Sequence, residues 1–129
     1  MEEWLHDTPL KSLTRLRRVK ARRVSTWNQT GANFDFTVVP PDAVFSMAEI
    51  QGCGCITHIW LTLLCKDPYH LRKIILRMFW DGEDNPSVEA PLGDFFGIGH
   101  AEVSSFCSLP FNMVVPNRAN EHKVAAINC

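Results

Sequence analysis

The sequence predicts an all-β protein: a jelly-roll β-sandwich preceded by a short N-terminal helix. Short runs of β-branched, aromatic and aliphatic residues recur along the chain, and turn residues separate them at short intervals. Several runs alternate apolar and polar side chains, which is the period of a half-buried strand. Beyond residue 20 no stretch shows helical periodicity. These observations together favour strands over helices for most of the chain.

Length and composition restrict the class of protein. A chain of 129 residues corresponds to one domain, and 46% hydrophobic with 21% charged residues argues against a disordered protein. No apolar run approaches the ~20 residues that span a bilayer, so a membrane partner is not expected. The N-terminus MEEWLHD is acidic where a secretory signal would be basic. We therefore expect a cytoplasmic protein.

The N-terminal segment, residues 1–20, is predicted to be a helix with a basic lead-in. Asp7, Thr8 and Pro9 are typical of a helix start, and leucines follow at near-helical spacing through residue 17. More than half of the 13 Lys and Arg residues lie within 11–23. Such a cluster can bind nucleic acid, but it lacks interleaved aromatics, and a solvated helix face explains it equally well. We expect no nucleic-acid partner.

Residues 21–129 are predicted to form the sandwich. The expected strands cover residues 22–27, 33–38, 43–50, 56–64, 71–80, 101–106, 111–115 and 124–129. The run 56–64 is nearly all apolar or β-branched and is predicted to be a central, well-buried strand beside 71–80. The last run ends with the chain, whereas a jelly roll needs a further strand. We therefore expect a sandwich truncated at its C-terminal end.

A candidate sugar-binding surface begins with the alternating segment 33–38. Asn33 and Asp35 would share one strand face, while Phe34 and Phe36 would pack inward from the other. An amide and a carboxylate at that spacing can bind vicinal hydroxyls, with Trp27 as an apolar wall. The alternative is an edge strand whose polar face lies in water.

The stretch 80–97, WDGEDNPSVEAPLGDFFG, supplies the second part of that surface. Turn residues, carboxylates and aromatics coincide here, as they do in functional loops. Asp94 is the candidate sugar ligand, and Phe95 beside it is a second apolar wall. Alternatively the aromatics fill the core and Asp94 caps its own loop.

No metal or other cofactor is expected. Cys53, Cys55 and His58 are close in sequence, but zinc sites usually need a second ligand pair, which the sequence does not show. Small buried thiols are the commoner outcome. An odd number of cysteines, five, without a secretion signal predicts free thiols.

Several segments resemble the N-terminal half of glycoside hydrolase family 172, a family long catalogued as a domain of unknown function. The similar segments are RRVSTWNQTGANFDF, AEIQGCGCITHIWLT, LRKIILRMFWDGEDNPSVEAPLGDFFGIGH and SLPFNMV, within residues 22–129. The stretch 80–97 is the most specific of them. At Cys53 the chain departs from the Gly-Pro-Gly that the family tends to have.

The resemblance implies a double jelly-roll enzyme that assembles as homo-oligomers and acts on fructofuranosides or arabinofuranosides. It implies a retaining mechanism with two glutamates, whose carboxyl groups lie about 5 to 5.5 Å apart in such enzymes. The family's catalytic pair lies C-terminal to the matched region, so it is expected beyond residue 129. The chain alone is then inactive, and none of its residues is assigned a catalytic role.

A different class of function stays open beside this one. A carbohydrate-binding or structural β-sandwich module would need no catalytic pair and would fold by itself. The enzyme-derived portion would instead expose sheet edges and apolar surface.

Overall fold

The structure is a computed structural model that describes Leu16, residues 18–115 and residues 123–129. The predicted helix over residues 9–17 lies almost wholly outside these described residues. The chain divides into two compact units, Met1–Cys53 and Gly54–Cys129. The organisation into residues 1–20 and 21–129 stays a prediction.

The described part of the first unit contains turns and bends but no strand. The strands expected over 22–27, 33–38 and 43–50 are therefore wrong for the described residues. Asn33 adopts a left-handed backbone, φ 57°, which interrupts an extended segment at its first residue. Alternation alone does not make a strand, because a strand also needs a neighbour for its backbone hydrogen bonds. Phe34 and Phe36 do not pack inward: they are 60% and 54% exposed, with ring centroids 4.1 Å apart.

The second unit carries six described strands and two one-turn helices. Strand β1 spans Trp60–Leu64, helix α1 His70–Lys73, and strand β2 Ile75–Met78. Strand β3 spans Val88–Pro91 and continues directly into helix α2, Leu92–Phe95. A 3₁₀ turn at Gly99–Ala101 precedes the remaining strands: β4 at Phe106–Cys107, β5 at Asn112–Val114 and β6 at Lys123–Asn128.

The strands form two antiparallel sheets. The larger has the order β1-β6-β5-β4, and the smaller is the hairpin β2-β3. Leu61 lies opposite Ile127 and Leu63 opposite Val124, so β6 carries one extra residue between these pairs, a bulge. Ile127 also lies opposite Met113 of β5, which places both side chains in the core.

Strand β1 lies at an edge of the described sheet, so the prediction of a central, well-buried strand is wrong. Its residues alternate between exposed and half-buried, and Trp60 is 53% exposed. The expected pairing of 56–64 with 71–80 is also wrong, because β1 pairs with β6 and β2 pairs with β3. A run of apolar residues indicates that a strand can be buried, but it does not indicate which other strand pairs with it.

The connection between β2 and β3, residues 79–87, contains a tight turn at Asp81 and Gly82. Both residues have positive φ, 50° and 78°, and the amide of Glu83 donates to the carbonyl of Trp80 over 2.9 Å. Positive φ at both central residues is typical of a type I′ turn, for which Asp-Gly is a preferred sequence, and β3 begins only at Val88, beyond this turn.

The one-turn helices pack against each other and against the core. They contradict the expectation that nothing beyond residue 20 is helical. Gly93 is the point of close approach, because a Cβ there would lie 3.0 Å from Leu71 Cβ. The core draws on both sheets and on the helices; its buried apolar members are Leu71, Leu76, Leu92, Phe96, Ile98, Ala101, Met113 and Ile127.

The predicted all-β class is confirmed at this level: the described elements are mostly antiparallel strands with two short helices. The finer assignment to a jelly roll stays a prediction. Among the described residues, no helix has both the length and the apolar character that crossing a bilayer requires.

Candidate functional site

An open, largely apolar hollow lies within the second unit. Its volume is about 330 Å³. Its wall is built from the segment before β1, from the end of β2 and the residues after it, from helix α2, and from the residues before β5 and after β6. The lining residues are Ile56, Thr57, His58, Ile59, Met78, Trp80, Phe95, Pro110, Phe111 and Cys129.

Backbone pairing holds one side of this hollow together. The amide of Ile59 donates to the carbonyl of Cys129 over 3.2 Å, and the amide of Cys129 donates back over 3.1 Å. These bonds extend the β1-β6 pairing beyond both strands and fix the two segments side by side. The hollow is thus built on the edge of the larger sheet.

An aromatic cluster forms another part of the wall. Phe95 packs edge-to-face against Phe96 with ring centroids 5.1 Å apart, and both rings lie within 6.5 Å of Phe111. Phe96 is fully buried, whereas Phe95 is only half-buried and faces the hollow. Trp80, 43% exposed, follows strand β2 at the start of the Asp81-Gly82 turn. The fold therefore anchors one ring in the core and presents others outward.

The wall combines ring surfaces with a few polar side chains. Trp80, Phe95 and Phe111 offer ring surfaces, while the side chains of Thr57 and His58 offer polar atoms. Ligand sites in general combine a mostly apolar wall with a few polar groups. Among the residues that the structure describes, the lining contains neither aspartate nor glutamate.

The structure places Asp94, a predicted sugar ligand, on helix α2 beside Phe95. Its carboxylate forms an ion pair with Arg72, the residue after Leu71 in helix α1, and both side chains are partly exposed. Asp94 does not cap its own loop through its side chain; its backbone carbonyl accepts from the amide of Gly97 over 3.0 Å. The sugar-binding role of Asp94 and Phe95 stays a prediction.

In the first unit, Asp35 is held by a local hydrogen-bond network. One carboxylate oxygen accepts from the amide of Asn28 over 2.7 Å, and its carbonyl accepts from the hydroxyl of Thr26 over 2.9 Å. Both bonds hold the ends of the loop around Gly31 together. Trp27 is 58% exposed and lines a hollow of about 210 Å³ with Arg23 and Ser25. The convergence of Trp27, Asn33 and Asp35 with Asp94 stays a prediction, since they belong to different units.

Other carboxylates of the second unit are engaged by their neighbours. Glu89 pairs with Arg77 across the β2-β3 hairpin at 2.5 Å, and Glu83 accepts from the hydroxyl of Ser87 over 2.8 Å. Lys73 lies 2.5 Å from Asp67, and this hydrogen bond, helped by the amide of Tyr69, lowers the pKa of Asp67. Within the residues that the structure describes, no group of three or more His, Cys, Asp or Glu side chains is placed to hold a metal ion.

Several wall residues were absent from the predicted site. Trp80 begins the stretch 80–97 and ends the predicted strand 71–80. This position, at the junction of a strand and a candidate functional loop, could have identified it as a site residue. Phe111 and Pro110 lack such a signal, because the contact of Phe111 with Phe95 depends on the packing of helix α2. His58 was considered only as a metal ligand.

The model of the GH172 domain-like family matches residues 29–111, which is more than half of the chain and includes most of the hollow's wall. Among curated proteins no sequence matches this one. The chain belongs to the GH172 domain-like family.

Proposed function

We propose that this chain supplies a furanoside-binding surface of a retaining glycoside hydrolase and leaves the catalytic glutamates to residues outside it. The observation that carries the proposal is the apolar, aromatic hollow inside the region that matches the family. Fructofuranosides and arabinofuranosides are the proposed substrates.

The hollow's composition supports a sugar as its occupant. The C–H face of a furanose ring can pack on Trp80 or Phe95, and hydroxyl groups at its rim can reach polar side chains. Asp94 and Arg72, on helices α2 and α1, pair with each other and are partly exposed, so a sugar hydroxyl could exchange into this pair. Hydrogen bonds that involve such charged groups contribute about 1.5–3 kcal/mol each.

The carboxylates of the hairpin support the second half of the proposal. A retaining pair needs two carboxyl groups free to flank one glycosidic bond. Glu83 and Glu89 instead bind Ser87 and Arg77, and none of these residues lines the hollow. Binding without hydrolysis is therefore the expected behaviour of the chain by itself.

We extend the proposal to assembly and architecture. The longer protein is proposed to be a homo-oligomer of cytoplasmic jelly-roll subunits. Within the described residues, β1 has only β6 as a neighbour, and unpaired strand edges are places where further strands add.

A titration with aryl arabinofuranoside and with a difructose anhydride tests the binding role. We expect Trp80→Ala to weaken binding about tenfold or more, in line with the loss of one aromatic contact of about 1–3 kcal/mol. Trp60→Ala is the matched control, because Trp60 is similarly exposed but does not line the hollow. Equal affinities of the two variants would refute the assignment of the hollow.

The second candidate is a non-catalytic carbohydrate-binding or structural module. The described part of the hollow's wall contains no acidic side chain, which suits a binding module as well as it suits the binding portion of an enzyme. The two functions differ in what a longer protein does: the enzyme hydrolyses furanosides when the C-terminal residues are joined to this chain, and the module does not.

A further inference from the structure

Strand β1 is an edge strand that lacks the features protecting the other edges. Its sequence, Trp60–Leu64, contains no charged residue and no proline. Among the other described edge strands, β2 carries Arg77, β3 carries Glu89 and ends at Pro91, and β4 is only two residues long. Charges, prolines and short length are common means by which edge strands avoid the addition of a further strand. Strand β1 is therefore the described edge that is most open to pairing.

The register of β1 shows which of its backbone groups point to the open edge. Ile59 exchanges both hydrogen bonds with Cys129, and the alternation of an antiparallel ladder makes Leu61 the next residue that bonds to β6. The residues between such pairs direct their N–H and C=O groups away from the partner strand. Trp60 and Thr62 therefore present backbone donors and acceptors at the edge, on the side away from β6.

The side chains of β1 are arranged symmetrically about Thr62. Trp60 and Leu64 lie two residues on either side of it, and they are 53% and 75% exposed. Leu61 and Leu63 flank it on the opposite, half-buried face. The strand is therefore apolar at matching distances in both directions. A surface that meets a copy of itself across a two-fold axis needs this self-complementarity.

From this unprotected and symmetric edge we infer that β1 pairs antiparallel with β1 of a second copy of the chain, with the two-fold axis at Thr62. The inference rests on the homo-oligomer proposed above and specifies its interface. Thr62 exchanges both backbone hydrogen bonds with Thr62 of the partner subunit, and Trp60 lies opposite Leu64 of the partner subunit. These exposed apolar side chains then cover each other at the cross-strand distance of about 5 Å. Two four-stranded sheets join into one continuous sheet.

Sedimentation velocity of the 129-residue chain at increasing concentration tests this pairing, with dithiothreitol present to prevent disulfide-linked dimers. We expect a monomer–dimer equilibrium. Thr62→Lys should raise the dissociation constant about fivefold or more, because it places two like charges directly opposite each other. Val114→Lys is the matched control and should dimerise like the wild type. Val114 is also exposed, but it lies on β5 inside the sheet.

A mixing experiment tests the register. Thr62→Glu should dimerise as weakly as Thr62→Lys, whereas an equal mixture of the two variants should recover the wild-type affinity, since opposite charges then face each other. A wild-type chain that stays monomeric, a dimer that Thr62→Lys does not weaken, or no recovery on mixing would each overturn the inference.

Titration of the same samples with aryl arabinofuranoside separates this result from the proposed sugar binding. A chain that binds the furanoside but stays monomeric refutes the pairing alone. A dimer that follows the charge pattern but binds no furanoside refutes the sugar site and leaves the pairing in place.

Discussion

Gly93 lies where helix α2 passes helix α1. We expect Gly93→Ala to lower the free energy of unfolding by about 1–2 kcal/mol, since its Cβ would crowd the fully buried Leu71. The gain in helix propensity, about 1 kcal/mol, offsets only part of this cost. Urea unfolding measures the difference. Gly99→Ala, where a Cβ meets nothing within 4 Å, should unfold like the wild type, and equal losses in both variants would contradict the account.

Asp67 gives a prediction about pH. The hydrogen bond from Lys73 holds its pKa in the folded chain below the ordinary value of 3.8. The ionised carboxylate therefore favours folding; this contribution is complete above about pH 4 and is lost as the pH falls through the lowered folded pKa. We expect Lys73→Met to raise the NMR titration midpoint of Asp67.

The neighbouring lysine provides the control for that titration. Lys66→Met should leave the midpoint of Asp67 unchanged, because Lys66 is not among the groups that lower this pKa. An unchanged midpoint in Lys73→Met would show that the ion pair does not form in solution.

For single residues, the sequence predicted which side chains lie near the site better than it predicted the partners that those side chains contact. The position of Phe95 on an exposed aromatic surface could be expected from Asp94-Phe95-Phe96 at a turn. The pairing of Asp94 with Arg72 could not, because it depends on two one-turn helices whose packing involves Gly93. Helices of four residues leave no periodic pattern in a sequence.

The hairpin β2-β3 is the element whose sequence signals agree with its structure. The turn residues noted in the stretch 80–97 do form a turn, because Asp81 and Gly82 both adopt positive φ between β2 and β3. The edge position of β1 had no such local signal. Its partner β6 lies at the far end of the chain, and long-range pairing depends on the whole fold.

Arg77 and Glu89 provide a test of this hairpin. They lie directly opposite each other, and their side chains are 50% and 51% exposed. A double-mutant cycle to alanine should give a coupling energy of about 0.2–1 kcal/mol that decreases with added salt. The pair Arg77 and Glu83 serves as the control and should show no coupling. A larger coupling to Glu83 would place the hairpin in another register.

For the whole molecule, the all-β class followed from composition and turn spacing, whereas the sheet order did not. The first unit shows the limit most clearly: residues 33–38 alternate as a strand does, yet Phe34 and Phe36 remain exposed. Alternation indicates which face of a segment is apolar, but it does not indicate whether a neighbouring strand is available to pair with that segment.

The central claim is that a furanoside binds in the hollow of the second unit without being hydrolysed by this chain. NMR mapping of the 129-residue chain with an aryl arabinofuranoside tests it most directly. We expect shifts centred on Trp80, Phe95 and Phe111, and no released aryl group in the same sample. Shifts confined to Trp27 and its neighbours, or release of the aryl group, would contradict the claim.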